Sequence, residues 1–211
     1  MIKSKSFDLY KLGRFCQKGY GIKKDVNLAV ELFKISSLFN NSNAMVQLGN
    51  IYGNGIDLTK EIMKAKNYYE KASHYDNSIA LYKLGLIYEK NDIYKAKYYY
   101  ELSANLNNAD AQYKLGQIYY KGLYVEKDYR MAEKYFESSS QSGNNNALLS
   151  LGNMYYYGKG VKQNYVQGIN YYKRASQLGN VKASLKLGII YYNGKGIEFN
   201  IMISMNYYVS C

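Results

Sequence analysis

Apolar and small residues return along the chain at helical spacing, not at the alternation of a strand. Ala44, Leu48, Ile51 and Tyr52 stand at i, i+4, i+7 and i+8, and further on Ala65, Tyr68, Tyr69 and Ala72 stand at i, i+3, i+4 and i+7. Each set occupies one face of a helix. The pair predicts a helix A and a helix B, and the same pair recurs. Leu-Gly appears at Leu12-Gly13, Leu48-Gly49, Leu84-Gly85, Leu115-Gly116, Leu151-Gly152 and Leu187-Gly188, at intervals of 36, 36, 31, 36 and 36. Small residues follow in register at Ala29, Ala65, Ala132, Gly168 and Ser204, and again at Ser36, Ala72, Ser139, Ala175 and Cys211. Between them lie the aromatic pairs Tyr68-Tyr69, Tyr135-Phe136, Tyr171-Tyr172 and Tyr207-Tyr208, with Leu32-Phe33 in the first unit. The short unit keeps the rule after a five-residue deletion, with Ala96, Tyr99-Tyr100 and Ser103.

The polar punctuation keeps the same period. Gly19-Tyr20-Gly21, Gly158-Lys159-Gly160 and Gly194-Lys195-Gly196 follow helix A, and Gly53-Asn54-Gly55 reads as a shifted version. Ile22, Leu58, Val125, Val161 and Ile197 come next and are expected to plug the turn onto the core. Asp25, Glu61, Asp92, Asp128, Asn164 and Asn200 stand where helix B begins, as N-caps or dipole partners. Asn40, Asp76, Asn107, Gly143 and Gly179 stand where helix B ends and a left-handed residue is wanted. A Gly inside helix A costs about 1 kcal/mol of helix propensity, so its recurrence predicts that a Cβ there would clash. The tyrosines are expected to nest against small side chains of the next hairpin.

Ala147, Leu151, Gly152, Tyr155, Gly158, Gly160, Val161, Asn164, Gly168, Tyr171, Tyr172 and Ala175 together resemble the Sel1-like repeat, a relative of the tetratricopeptide repeat. Departures are local: Cys16 replaces the helix-A Tyr, Tyr124 replaces the second turn Gly, and Glu89 to Asn91 stand for a missing loop. The resemblance implies an all-α fold, a right-handed α-solenoid (α/α superhelix) of stacked antiparallel hairpins. About six repeats would form a single domain over 1–211, at 8–43, 44–79, 80–110, 111–146, 147–182 and 183–211, the last incomplete. It also implies a non-catalytic adaptor in protein complexes.

Composition adds less. The 211 residues hold no Pro, which suits a helical chain, and 28 Tyr. The formal charge of +12 favours acidic partners, although a Lys-, Asn-, Ile- and Tyr-rich chain also suits an AT-rich coding sequence. No apolar run is long enough to span a membrane, and Met1 to Ser6 lead into no signal-like apolar core. The default is a cytosolic-type compartment. Ile201, Met202, Ile203, Met205, Tyr207, Tyr208 and Val209 form an apolar last helix without a polar cap, which reads as a fragment's edge or as an end that docks, for instance on another copy.

Catalysis finds little support. His74 is the sole histidine and reads as an exposed residue near a helix C-terminus. Cys16 and Cys211 occupy core-type positions, and the Gly-x-Gly turns lack the Lys-Ser/Thr of a phosphate loop. The Cys pairs carried in each repeat by some relatives are missing. No cofactor or metal site is expected.

By analogy with tetratricopeptide grooves, the partner-facing positions of helix A lie two after, one before and five after the Leu. Arg14, Asn50, Lys83, Lys114, Gln117, Tyr120, Asn153, Tyr156 and Lys186 are the candidate contacts. Amide and basic groups beside tyrosines suit the backbone and carboxylates of a protein or peptide segment, acidic in the favoured case. The other reading of these positions is a solvated face. Tyr10, Tyr82 and Tyr113, two before the Leu, read as half-buried packing residues. The alternative function is that of a helical-repeat RNA binder using the basic surface.

Overall fold

Caps decide where each helix begins, and the computed structural model shows twelve α-helices among the residues it describes, 2–55, 61–123 and 125–209. Leu58, Tyr124 and Cys211 lie outside the described residues. The chain divides into two compact units, Met1–Leu106 and Asn107–Cys211. The first holds the hairpins α1 (Ile2–Lys18)/α2 (Val26–Leu38), α3 (Ser42–Asn54)/α4 (Ile62–Ser73) and α5 (Ser78–Tyr88)/α6 (Ile93–Asn105). The second holds α7 (Ala109–Lys121)/α8 (Tyr129–Gln141), α9 (Asn145–Tyr157)/α10 (Tyr165–Gln177) and α11 (Val181–Asn193)/α12 (Ile201–Val209). Odd helices are the A helices and even ones the B helices. Within each unit every B helix also packs on the A helix that follows it, α2 on α3, α4 on α5, α8 on α9 and α10 on α11. This is the expected all-α solenoid of six hairpin repeats.

The punctuation performs as read. Asp25, Asp92, Asp128, Asn164 and Asn200 each accept from the backbone N–H three residues on, at 2.9–3.0 Å. Glu61 makes no such cap and instead pairs with Lys64 at 2.7 Å. Asn40, Asp76 and Asn107 adopt φ of 61°, 51° and 59°, and Gly143 and Gly179 take 85° and 78°, so every B helix before a further hairpin ends on a left-handed residue. One reading needs correction. Gly53 stays inside α3 and Gly55 takes the left-handed cap at φ 65°. Gly55 stands seven after Leu48, as Gly19, Gly158 and Gly194 stand after theirs, so this turn is in register and not shifted.

A second bond closes each hairpin. The N–H of the residue before helix B donates to the carbonyl at the fourth position after the Leu: Asp25 to Cys16, Glu61 to Tyr52, Asp92 to Tyr88, Asp128 to Tyr119, Asn164 to Tyr155 and Asn200 to Tyr191, at 2.8–3.0 Å. In the short repeat the same closure is reached by a tight turn over residues 89–91. The deletion therefore removes loop and leaves the hairpin.

The helix-A glycines are explained by contact. A Cβ on Gly13, Gly116 or Gly152 would fall 2.5–2.6 Å from ring carbons of Phe33, Phe136 or Tyr172, and Gly49 and Gly85 face Tyr69 and Tyr100 as closely. Each ring belongs to helix B of the same hairpin. That corrects the expectation of nesting on the next hairpin, because close approach of A to B leaves the ring no other course. Contact with the next hairpin comes instead from Tyr129 and Tyr165, which lie against Gly160 and Gly196 in the following turn. Between hairpins of the same unit, Leu48, Leu84, Leu151 and Leu187 are fully buried, whereas Leu12, on the first described hairpin, is 46% exposed. Val161 and Ile197 plug their turns onto the core as expected, but Ile22 is exposed for the same reason as Leu12. The first aromatic of helix B stacks on the helix-A tyrosine, as in Tyr52–Tyr68, Tyr88–Tyr99, Tyr119–Tyr135, Tyr155–Tyr171 and Tyr191–Tyr207, with ring centroids 5.5–5.8 Å apart. Cys16 takes that place in the first hairpin and is buried.

Replacing Gly152 by Ala gains about 1 kcal/mol of helix propensity and forces a fully buried ring to move, which typically costs 1–3 kcal/mol. Tyr172 is pinned at its hydroxyl (below), so a net loss of about 1–2 kcal/mol is expected in urea denaturation. Gly188→Ala is the contrast. There the ring carbons of Tyr208 lie at 3.0–3.2 Å and the ring is 43% exposed, so it swings aside and the variant should match or exceed wild type.

Candidate partner-binding face

The rings that fill the hairpins also determine what the A helices offer to solvent. Tyr69 and Tyr172 reach through to the A face, where their hydroxyls donate to the side-chain oxygens of Asn50 and Asn153, both at 2.9 Å. Each Asn stands two after its Leu, so its carboxamide oxygen is occupied and its NH2 is left to donate. Where helix B carries Phe33 or Phe136, the same position holds Arg14 or Gln117, and Gln117 donates to Tyr113 at 3.0 Å. Tyr100 is the exception. It faces a repeat with Leu86 in place of Asn, and its hydroxyl is buried without a hydrogen-bond partner. Burial first, then the nearby charge of Glu89, push its pKa far above the usual tyrosine value. Burial alone raises Tyr69 to about 12, and burial is the main cause for Tyr172 as well.

Crevices open between consecutive A helices. In the first unit, Gln17, Lys18, Lys24, Val26, Asn50, Ile51 and Asn54 line about 320 Å³ between α1 and α3. In the second unit, Gln117, Tyr120, Lys121, Phe136, Ser150 and Asn153 line about 110 Å³ between α7 and α9. Tyr156, Tyr157, Lys186, Ile189, Ile190, Asn193 and Lys195 line about 220 Å³ between α9 and α11. Of the residues singled out from sequence, the structure thus gathers Gln117, Tyr120 and Asn153 in one crevice and Tyr156 with Lys186 in another, and places Asn50 in a third. Arg14, Lys83 and Lys114 are half-exposed on their A helices, outside these crevices. Tyr156 is a correction. Its ring is 95% buried against α10, where a Cβ on Gly168 would meet its backbone at 2.7 Å, and its hydroxyl donates to the carbonyl of Lys195. It shapes the crevice more than it faces a partner. Tyr10, Tyr82 and Tyr113 are half-buried, as read, each 5.8–6.0 Å from the second aromatic of its own hairpin.

The faces differ in charge. The A helices carry ten Lys and Arg, five on α1, one on α5 and two each on α7 and α11, against two carboxylates, Asp8 and Asp110. The B helices carry ten against five, and several of their lysines are matched in place, as in Lys34–Glu31, Lys66–Glu70 and Lys97–Glu101. Sequence reasoning missed a pair of adjoining depressions of about 580 and 520 Å³ between α2 and α4, which share Lys34, Tyr52 and Lys64. The stacked Tyr52–Tyr68 pair was the available signal. Among the described residues there is no cluster of potential metal ligands, and no helix is long and apolar enough to cross a membrane. His74 is exposed at the end of α4.

Removing a hydroxyl should separate these tyrosines. Tyr172→Phe strips Asn153 of its partner and should cost about 1 kcal/mol, whereas Tyr100→Phe removes an unpaired buried group and should be neutral or stabilising. Urea midpoints of the two variants check this. Buried tyrosines also predict alkaline sensitivity. Their folded pKa lies above the unfolded value, so their contribution is complete below about pH 10 and is lost as pH rises toward the folded values. Denaturation midpoints should fall from pH 10 to 12, and fall less steeply in Tyr100→Phe.

The comparisons agree with this geometry. The Sel1 repeat pattern matches residues 7–38, 42–74, 78–108, 109–144, 145–180 and 181–208. No curated protein sequence matches significantly. Among solved structures, the chain is similar to a Sel1 repeat protein from Oxalobacter formigenes, with 26% identity, a TM-score of 0.91, and 97% of this chain and 86% of that one covered. It is also similar to c5321, a protective antigen of uropathogenic Escherichia coli strains with the same repeat fold, at 25% identity and TM-score 0.87; the match covers 97% of this chain but only 45% of that protein. The immunity protein Pa5087 of Pseudomonas aeruginosa shares the fold at 22% identity and TM-score 0.66, with 97% and 80% covered. Proteins built from these repeats generally bind protein partners and are usually not catalysts. With six matched repeats over nearly its whole length, the chain belongs to the Sel1 repeat family.

Proposed function

We propose that the chain is a non-catalytic adaptor whose A-helix face holds an acidic segment of a protein partner. The charge distribution carries this reading: lysines dominate the A helices with almost no carboxylate among them, whereas lysines on the B helices are partly neutralised by neighbours. Crevices lined by amides, tyrosines and lysines supply donors for backbone carbonyls and carboxylates. That chemistry is suited to an extended peptide. An RNA backbone would also find cations here, but the A face offers crevices of a size for side chains.

The test compares partners captured by the wild-type chain with those captured by Lys83→Ala/Lys114→Ala/Asn153→Ala and by a B-helix control, Lys66→Ala/Lys71→Ala/Lys134→Ala. Mass spectrometry should show the same acidic partners for wild type and control and their loss from the A-face variant. Retention by the A-face variant, or capture of RNA whose binding falls steeply with salt, would overturn the reading.

A further inference from the structure

Beside their tyrosine rings, Lys64, Lys66 and Lys95 each also pair with a carboxylate. Lys186 does not. Its ammonium lies 3.3 Å from the hydroxyl of Tyr157, 5.1 Å over that ring and 5.8 Å over the ring of Tyr172. The rings hold the cation in place, and their negative faces offset its charge only in part. Lys195 lines the same crevice, whose walls include Ile189, and no Asp or Glu lines it. Lys186 in a concave site with apolar walls focuses a positive potential outward, and Lys195, whose ammonium lies 5.8 Å over the ring of Tyr165, adds to it. At about 220 Å³ the crevice fits one side chain and is smaller than the usual pocket for a small-molecule ligand.

We propose that the crevice between α9 and α11 is a carboxylate anchor that takes a Glu or Asp side chain of the partner's segment. This deepens the A-face reading and rests on it. The crevice one repeat earlier, between α7 and α9, supplies a second contact. There the NH2 of Asn153, with its oxygen held by Tyr172, is the donor for a backbone carbonyl. Lys186 and Lys195 select charge, and Asn153 selects an extended backbone.

The experiment is NMR titration of the full ¹⁵N-labelled chain with two synthetic peptides, one of repeated Ser-Ala-Glu and one of repeated Ser-Ala-Gln. The Glu peptide should shift the amides of Lys186, Ile189 and Asn193, and the Gln peptide should not. Lys186→Met should weaken the Glu peptide about fivefold, the upper range for a partly exposed ion pair, while Lys134→Met on α8 leaves it unchanged. A Lys186→Gln variant repeats the measurement should Met disturb the spectrum. Equal shifts from both peptides, no effect of either Lys186 variant, or no shifts at all would overturn the anchor. Shifts confined to other A helices would overturn the anchor and leave the A-face reading standing. Shifts confined to B helices would overturn both, as would stronger perturbation of α11 by a single-stranded RNA than by the Glu peptide.

Discussion

In the first five hairpins, a ring from helix B occupies the space that a Cβ on the helix-A glycine would need. The hairpin cannot close without that gap, and the glycine makes little sense without that ring. Its helix-propensity cost of about 1 kcal/mol is offset by the burial of a large aromatic surface, which is worth about 2–3 kcal/mol for a ring of this size. With the ring seated, the two backbones lie close, Ala29, Ala65, Ala96 and Ala132 are fully buried, and the first aromatic of helix B is brought alongside the helix-A tyrosine. The leucines then fill the seam between one hairpin and the next within each unit. A single hairpin leaves its Leu half in water, as Leu12 shows, so stability is shared between neighbours and is not owned by any one repeat.

The same ring joins core to surface. A tyrosine long enough to cross the hairpin delivers its hydroxyl to the A face, and there it orients an asparagine. A phenylalanine at that place stops short, and the position opposite holds a longer polar side chain. Binding chemistry on the A face is therefore partly dictated from within the core, while the B face is organised by stacked tyrosine pairs and by lysines paired along their own helices. This division gives the A helices the larger excess of positive charge.

Most of the fold was legible because its determinants are local or strictly periodic. Caps at Asp25, Asp92 and Asp128 and left-handed ends at Asn40, Asp76 and Asn107 depend on side chains next to the backbone they serve, and the period reveals them at once. Which partner each tyrosine meets was not legible. Tyr69 and Tyr165 are both helix-B tyrosines, yet one nests on its own hairpin and the other on the next turn, and only three-dimensional approach of the helices decides between them. The asparagines Asn41, Asn77, Asn108, Asn144 and Asn180 cap every A helix after the first and were overlooked, although they keep the period as faithfully as the leucines. For the candidate binding face, spacing picks out A-helix positions but does not tell a buried ring such as Tyr156 from a half-buried one such as Tyr120. That distinction turns on Gly168, which lets α10 approach and cover Tyr156.

A repeat protein built this way has an economical route to a new binding surface. Exchanging Phe for Tyr at the ring position adds one oxygen, keeps the ring against its glycine, and changes what can stand two residues after the Leu. Asn153 with Tyr172 and Gln117 with Phe136 are two settings of that coupling in adjacent repeats of one unit. Tyr100 opposite Leu86 shows the coupling out of step, with no asparagine to receive its buried hydroxyl. The constraint is asymmetric. A Tyr demands a partner, whereas a Phe releases the surface position to evolve freely. Specificity on the A face should therefore concentrate in repeats whose ring is Phe, or whose Tyr already holds an Asn, and the second unit places one of each side by side.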